Sequence, residues 1–399
     1  MTTRKKDLGE SFLEWLLKLL SESEEVEFED FSLEASELQL DITGGAPVIR
    51  SILEAAKPIE AKAVELLEEL PKPEVVFTNR IAEVKIGATK SEGGSRSRVI
   101  VIGGEVTMPF YSFSALNPNP PVVSGDVFDW KLPLPKPLKD QFGDAMDDPA
   151  EWAKLYVDKF GADMVTLELT STDPSIKDTP VREAVKTVEN VLQAVDSPVM
   201  VGGSGDPIKD VELLTEVAAT FEGERLLLSS IPSPEDRFKP IAEAAKRYGH
   251  NVVAWASLDL NLQRDLDRCL LQILPPERIV IDPTSAPLGY GIEYAFSVME
   301  RIRIAGLMGD SELALPMLSG TSNAWGAREA WLKAPELGPR EVRGPIWETV
   351  TALTLLLAGC DLFIMMHPLA IRTVKQVISW LHGRWDTVVK DVPDWLGGI

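Results

Sequence analysis

The chain has 399 residues, 45% of them hydrophobic and 26% charged, and a formal net charge of −22. Such acidity sets its surface against nucleic acid and anionic lipid, and no uninterrupted apolar run reaches membrane-spanning length. Cys269 and Cys360 lie in apolar surroundings with no CxxC pair, which excludes an iron–sulfur cluster or a cysteine-rich zinc site held by this chain alone and fits a reducing cytoplasm.

Residues 1–46 are rich in glutamate, with Glu22, Glu24, Glu25, Glu27, Glu29 and Asp30 in one run. They read as a solvated acidic extension. Phe12, Leu13, Trp15, Leu16, Leu17, Leu19 and Leu20 supply a short helix there that can dock on a partner or on the protein itself. The charged start lacks the pattern of a secretory signal. Residues 47–70 read mostly as helix, from the recurrence of Ile49, Ile52, Leu53, Val64, Leu66, Leu67 and Leu70, with a break or kink at Pro58 and an end at Pro71 and Pro73. Val75–Ile86 and Arg96–Val106 are β-rich, and Ser91-Glu92-Gly93-Gly94-Ser95 between them predicts a hairpin. In a barrel protein this hairpin would plug the N-terminal end. The expected segments are thus 1–46, 47–120, a barrel over 121–372, and a tail over 373–399.

From residue 121 strand and helix alternate. The predicted strands are Val122–Val127, Met164–Leu169, Val199–Gly202, Leu226–Ser230, Val252–Ala256, Val280–Asp282, Ala314–Leu318 and Leu362–Met366. Between them the predicted helices are Ala150–Phe160, Val181–Ala194, Val211–Ala219, Ile241–Tyr248, Leu260–Leu271, Ile292–Gly306, Ala327–Trp331 and Pro345–Ala358. In the sixth helix Ile292, Ala295, Phe296, Met299, Ile302 and Ala305 form one apolar face, and Glu300, Arg301 and Arg303 mostly fall elsewhere. Eight strands alternating with helices predict a parallel α/β fold, a TIM (βα)8 barrel. An open Rossmann-like sheet is the alternative, weakened because no GxGxxG follows the first strand. The proline-rich Lys131–Pro137 reads as a loop over the barrel mouth.

All eight strands end in small or polar residues: Asp126 and Asp129; Thr170 to Pro174; Gly202 to Asp206; Ser229-Ser230; Ser257; Asp282-Pro283-Thr284; Ser319 to Asn323; and Met365 to Pro368. Each cluster alone is ordinary turn chemistry, but together they mark the C-terminal face, where βα-barrels keep their sites. Of the three histidines only His367 falls on this face; a capping role is its plain alternative. HExxH, P-loop and GxSxG motifs are lacking. Asp173, Asp206 and Asp282 form no obvious pair, so the face reads as suited to hydrogen-bonding a large polar ligand rather than to acid–base catalysis. Trp325, just past Asn323, can lie against a flat ring, although packing is the commoner use of tryptophan.

The runs ADMVTLELTSTDP, GGSGDP, DPTSAPLGYGIEY, SNAWGAREAW and LFIMMHP, with RSRVIVIGGEVTMPFYSF upstream and RGPIWETVTALTLLLAGCDLF near the end, resemble the delta subunit of the acetyl-CoA decarbonylase/synthase complex. That subunit is the counterpart of the small subunit of the corrinoid iron–sulfur protein. The similarity runs from about residue 75 to about 370. It implies a TIM barrel in the reductive acetyl-CoA (Wood–Ljungdahl) pathway, paired with a larger gamma-type subunit that carries the iron–sulfur cluster and most of the corrinoid. The barrel's C-terminal face would cover the corrinoid while methyl groups pass between a methyl-tetrahydropterin and the acetyl-CoA synthase metal cluster, with a methyltransferase and acetyl-CoA synthase as transient partners. Thr172, Ser204, Thr284, Thr321 and Asn323 would meet the corrinoid amides; Asp282, Trp325 and His367 complete the cofactor-facing set. No catalytic or metal-binding residue is expected. Two other readings stay open: a pterin-binding barrel methyltransferase acting on a separate corrinoid protein, and a barrel that chiefly organises an assembly.

Overall fold

Alternating side-chain direction along short strands decides the architecture. In the computed structural model, residues 75–109, 117–233 and 235–382 are described. The chain divides into two compact units, Met1–Lys72 and Pro73–Ile399. The first unit, with the acidic extension and the whole of the expected 47–70 helix, lies outside the described residues, as does 383–399. In the second unit, β1 (Glu83–Ile86) and β2 (Ile100–Gly103) pair antiparallel with Glu83 opposite Gly103. Eight strands follow: β3 (Val122–Phe128), β4 (Met164–Glu168), β5 (Val199–Gly202), β6 (Leu227–Pro232), β7 (Asn251–Trp255), β8 (Ile279–Asp282), β9 (Leu318–Ser319) and β10 (Leu362–Met365). They pair in parallel in the order β8-β7-β6-β5-β4-β3-β10-β9, and a parallel bridge between Ile281 and Met317 joins the two ends. The result is a (βα)8 barrel.

The seam has a chemical cause. Ala314–Leu318 was expected as a full strand, but Pro316 has no N–H to give a neighbour, and regular pairing survives only over β9. Pro316 still accepts from Ile281 N–H at 2.8 Å. Asp361 takes up the remaining groups: its N–H donates to Met317 O at 2.8 Å and its Oδ2 accepts Met317 N–H at 2.7 Å. Arg303 anchors that carboxylate. It donates to Asp361 Oδ2 and to Glu105 Oε2 (2.8 Å), and is 1% exposed. Arg303 therefore belongs to the buried side of its helix, which amphipathic patterning alone does not show.

The helices cover the barrel: α1 (Lys136–Phe142), α2 (Pro149–Lys154), α3 (Val181–Ala194), α4 (Lys209–Thr220), α5 (Glu235–Tyr248), α6 (Leu260–Leu270), α7 (Ile292–Leu307), α8 (Arg340–Leu357) and α9 (Pro368–Leu381). α3 buries Ala184, Val188, Val191 and Leu192, the i, i+4, i+7, i+8 stripe of a core-facing helix. Ala327–Trp331, expected as a helix, forms short 3₁₀ turns, and α8 starts at Arg340 with Pro345 inside it. α9 crosses the boundary expected at residue 372.

The hairpin lies under the barrel. Val84, Ile86, Ile100 and Ile102 share one apolar cluster with Val122, Met164, Met200, Leu227, Val253, Val280, Leu318 and Leu362, residues from the lower part of every barrel strand. Asn251 Nδ2 donates to Lys85 O at 2.7 Å, tying hairpin to barrel. Gly103 has φ +84°, and a Cβ there would sit 2.0 Å from Ala82 O, so only glycine closes the hairpin's end.

Replacing Arg303 with alanine would leave Glu105 and Asp361 buried without their cation. Arg303→Ala should cost about 3–5 kcal/mol of stability, measured by denaturant unfolding. A loss under about 1 kcal/mol would mean that the ion trio does not hold the seam.

Candidate functional site

Inward-facing positions change character along the barrel axis. On β3 they run Val122, Ser124, Asp126, and on β4 Met164, Thr166, Glu168. On β8 Val280 gives way to Asp282. Ser124 and Thr166 share a buried hydrogen bond of 2.7 Å midway. Above them the barrel opens into a cavity of about 600 Å³. Asp126, Glu168, Asp210 and Asp282 line it, with Thr170, Ser204, Ser229, Ser230, Ser322 and Asn323, and with apolar walls from Phe128, Leu132, Leu134, Trp255, Trp325 and Met366. No lysine, arginine or histidine is among the lining residues.

With no cation present, burial dominates the acids. It raises Asp126 to about 7, opposed by a hydrogen bond from Ser322, and Asp282 to about 6, opposed by the Thr284 N–H. Glu168 is pushed well above the usual carboxylate range by burial, and then by Asp126, Asp210 and Asp282. Behind the wall, Glu348 of α8 accepts from the N–H groups of Met366 (2.5 Å) and His367 (2.9 Å), and burial raises it to about 7. Small residues make room for these groups. A Cβ on Gly202 would lie 1.9 Å from Glu168 Oε2, and one on Gly203 would lie 2.3 Å from the Asp210 carboxyl carbon. Asp210 in turn accepts from Ser204 N–H (2.8 Å) and Gly205 N–H (2.8 Å), shaping the glycine loop after β5.

Of the eight residues expected to face a cofactor, Ser204, Asp282, Asn323 and Trp325 line this cavity. The other four do not. Thr172 is buried and donates to Leu169 O at 2.8 Å. Thr284 donates to Ala256 O at 3.2 Å. Thr321 is buried, with Ser319 O at 3.3 Å. Backbone carbonyls engage these hydroxyls, from the residue's own turn for Thr172 and Thr321 and from the end of β7 for Thr284. His367 N-caps α9, its Nδ1 accepting Leu369 N–H at 3.1 Å, and burial lowers it to about 4, so it is a neutral ring. It stacks on Trp325 at a centroid distance of 5.9 Å. Trp325 is held from the other side by α8, where a Cβ on Gly344 would come within 2.2 Å of the indole. His367 thus supports a wall residue.

Pattern reading gives Asp126 only as a strand-end marker and does not single out Glu168, Asp210 or Glu348. The mouth therefore holds more buried acids than the strand-end residues alone indicate. The alternation VVSGDVF and MVTLE carried the signal for the first two. Glu348 is revealed only by the chain returning through β10. Among the described residues no group of His, Cys, Asp and Glu is arranged to hold a metal ion, and no helix is long and apolar enough to cross a membrane.

Fold and face together define a (βα)8-barrel protein with an acid-rich, cation-free C-terminal mouth. A sequence profile of the CO dehydrogenase/acetyl-CoA synthase delta subunit matches residues 83–334. The acetyl-CoA decarbonylase/synthase complex subunit delta 2 of Methanosarcina acetivorans is 52% identical over 329 residues, 80% of this chain and 75% of that protein. Subunit delta of Methanocaldococcus jannaschii is 46% identical over 380 residues, 93% of each chain. The chain belongs to the family of acetyl-CoA decarbonylase/synthase delta subunits. Among solved structures, a dihydropteroate synthase from Coxiella burnetii in complex with pteroic acid is 14% identical, with a TM-score of 0.47 over 75% of this chain and 99% of that one.

A carboxyl group whose folded-state pKa is raised binds more protons folded than unfolded, so it destabilises the fold progressively as pH rises from its unfolded value toward its folded one. For Asp126 that window runs from 3.8 to about 7. Asp126→Asn should therefore stabilise the protein by on the order of 2 kcal/mol near pH 8 and by less near pH 5. Thermal unfolding at the two pH values checks this; a variant equally or less stable at the higher pH would contradict it.

Proposed function

We propose that this chain covers a corrinoid held mostly by a larger gamma-type iron–sulfur subunit, and takes part in methyl transfer between a methyl-tetrahydropterin and the acetyl-CoA synthase metal cluster. The observation that carries this reading is the lining of the mouth. Its hydroxyls, its Asn323 amide and its acids, whose ionisation burial disfavours, offer both donors and acceptors. Corrinoid side-chain amides are neutral and need both. A volume of about 600 Å³ lies within the range of small-ligand sites, so a macrocycle would rest over the opening with part of its periphery inside. The bound corrinoid supplies a cobalt centre that receives the methyl group and passes it on. This chain's residues would do the rest: Ser204, Ser322 and Asn323 hydrogen-bond the periphery, and Trp325, Phe128 and Met366 keep water from the opening.

The rim supports a protein partner. Trp130, Ile176, Ile208 and Tyr290 are exposed on the loops after β3, β4, β5 and β8, and Tyr294 is exposed in the first turn of α7. Apolar rings of this kind mark interaction surfaces. The size of the cavity also favours a second reading, in which a methyl-tetrahydropterin is seated inside and the barrel acts as a methyltransferase on a separate corrinoid protein. Calorimetry with the isolated chain separates the two, since only the second expects tight binding of the pterin without a partner.

Asn323→Ala combined with Trp325→Ala should lower corrinoid retained per heterodimer several-fold while the barrel stays folded, measured by absorbance of the co-purified complex. Unchanged retention would make the Ser322–Gly326 segment a packed loop with no part in covering the corrinoid.

A further inference from the structure

We infer that Asp126 delivers the proton needed by a departing nitrogen when a methyl group leaves it at the mouth. The inference rests on the second reading above, in which the methyl-tetrahydropterin is seated in the mouth. The geometry singles out this side chain. Asp126 lines the cavity from β3, is 3% exposed, and its Oδ1 has no hydrogen-bond partner. Four neighbouring acids are engaged in holding backbone: Asp210 accepts from Ser204 and Gly205, Asp282 from Thr284, Asp129 from Ser171, and Glu348 from Met366 and His367; Glu168, the other acid of the lining, packs its carboxyl against Gly202. Buried polar atoms are nearly always paired, so an orphaned carboxyl oxygen at the edge of a ligand-sized space points to a partner that arrives with the ligand.

Every ionisable group facing Asp126 favours its protonated form or is neutral. Glu168 of β4, Glu348 of α8 and Tyr156 of the π turn after α2 are each coupled to it by charge, Ser322 hydrogen-bonds it, and no cation lines the cavity. The group thus holds its proton up to about neutral pH, where a proton donor works best. In the step, the N–CH3 bond breaks and its electron pair stays on nitrogen. The methyl carbon goes to an electron-rich nucleophile that the partner's corrinoid would supply. The Asp126 O–H bond breaks, its proton goes to that nitrogen, and the carboxylate left behind is reprotonated from solvent.

The test uses the full-length chain in complex with its corrinoid-bearing partner and a methyl-tetrahydropterin. Asp126→Asn should slow methyl transfer, measured per bound corrinoid, by about 10²- to 10⁴-fold and abolish the fall in rate with rising pH centred at about 7. Glu168→Gln should keep that fall. Independently of activity, infrared spectra of the wild-type chain should contain a carboxylic-acid band that titrates near neutrality and is missing from Asp126→Asn. A fall in rate that persists in Asp126→Asn, or that vanishes in Glu168→Gln instead, overturns the assignment. So does the absence of any carboxyl titrating between about pH 5 and 8. Corrinoid retention that does not depend on this chain would sink the covering role and leave the assignment of Asp126 standing.

Discussion

A closed parallel barrel must fill its own interior, and every polar atom placed there must be satisfied by another or by a ligand. The rest of this molecule follows from how its inward positions meet that demand. Val122, Met164, Met200 and Leu227 solve it at the lower end by contact alone. The Ser124–Thr166 hydrogen bond is the last self-satisfied layer. Beyond it the same strands present Asp126 and Glu168, and no cation stands among the described residues that line the cavity around them. Proton uptake is the remaining way to hold such groups in a desolvated place, and it turns acids into donors.

That solution gives the mouth its chemistry. A protonated carboxyl, a serine and a primary amide all offer a donor and an acceptor at low net charge, and together they match a neutral, amide-bearing ligand better than an anionic one. The aromatic wall is built with equal economy of parts. Trp325 stands between the Gly344 notch and the neutral His367 ring, and Glu348 fixes the backbone that carries His367. None of those three supporting residues lines the cavity, yet the position of Trp325 depends on them.

The barrel itself was legible because each strand is a short apolar run and each turn is marked by small or polar residues. The eight strand positions follow from that pattern, with β9 shortened by the proline within its run. The hairpin was legible from its glycine-rich turn. The site was harder to read. Thr172, Thr284 and Thr321 stand in the right turns, but a threonine hydroxyl beside a free backbone carbonyl, of its own loop or of a neighbouring strand end, is satisfied there first, and sequence position does not reveal which has done so. Asp126 and Glu168 fall at alternate positions of strands whose inward face is known only once the barrel closes. Glu348 and Arg303 sit on helices whose polar residues pattern reading assigns to solvent; partners about 18 to 200 residues away along the chain place them inside.

The hairpin beneath the barrel has a kinetic consequence. Val84, Ile86, Ile100 and Ile102 stopper the lower end, and among the described residues the cavity lies at the opposite, C-terminal end. A guest that enters at that face leaves by it. A second body resting on that opening would govern escape of the guest, access of water and re-equilibration of protons all at once, so the exchange rate of the vessel would be set by how often its cover lifts.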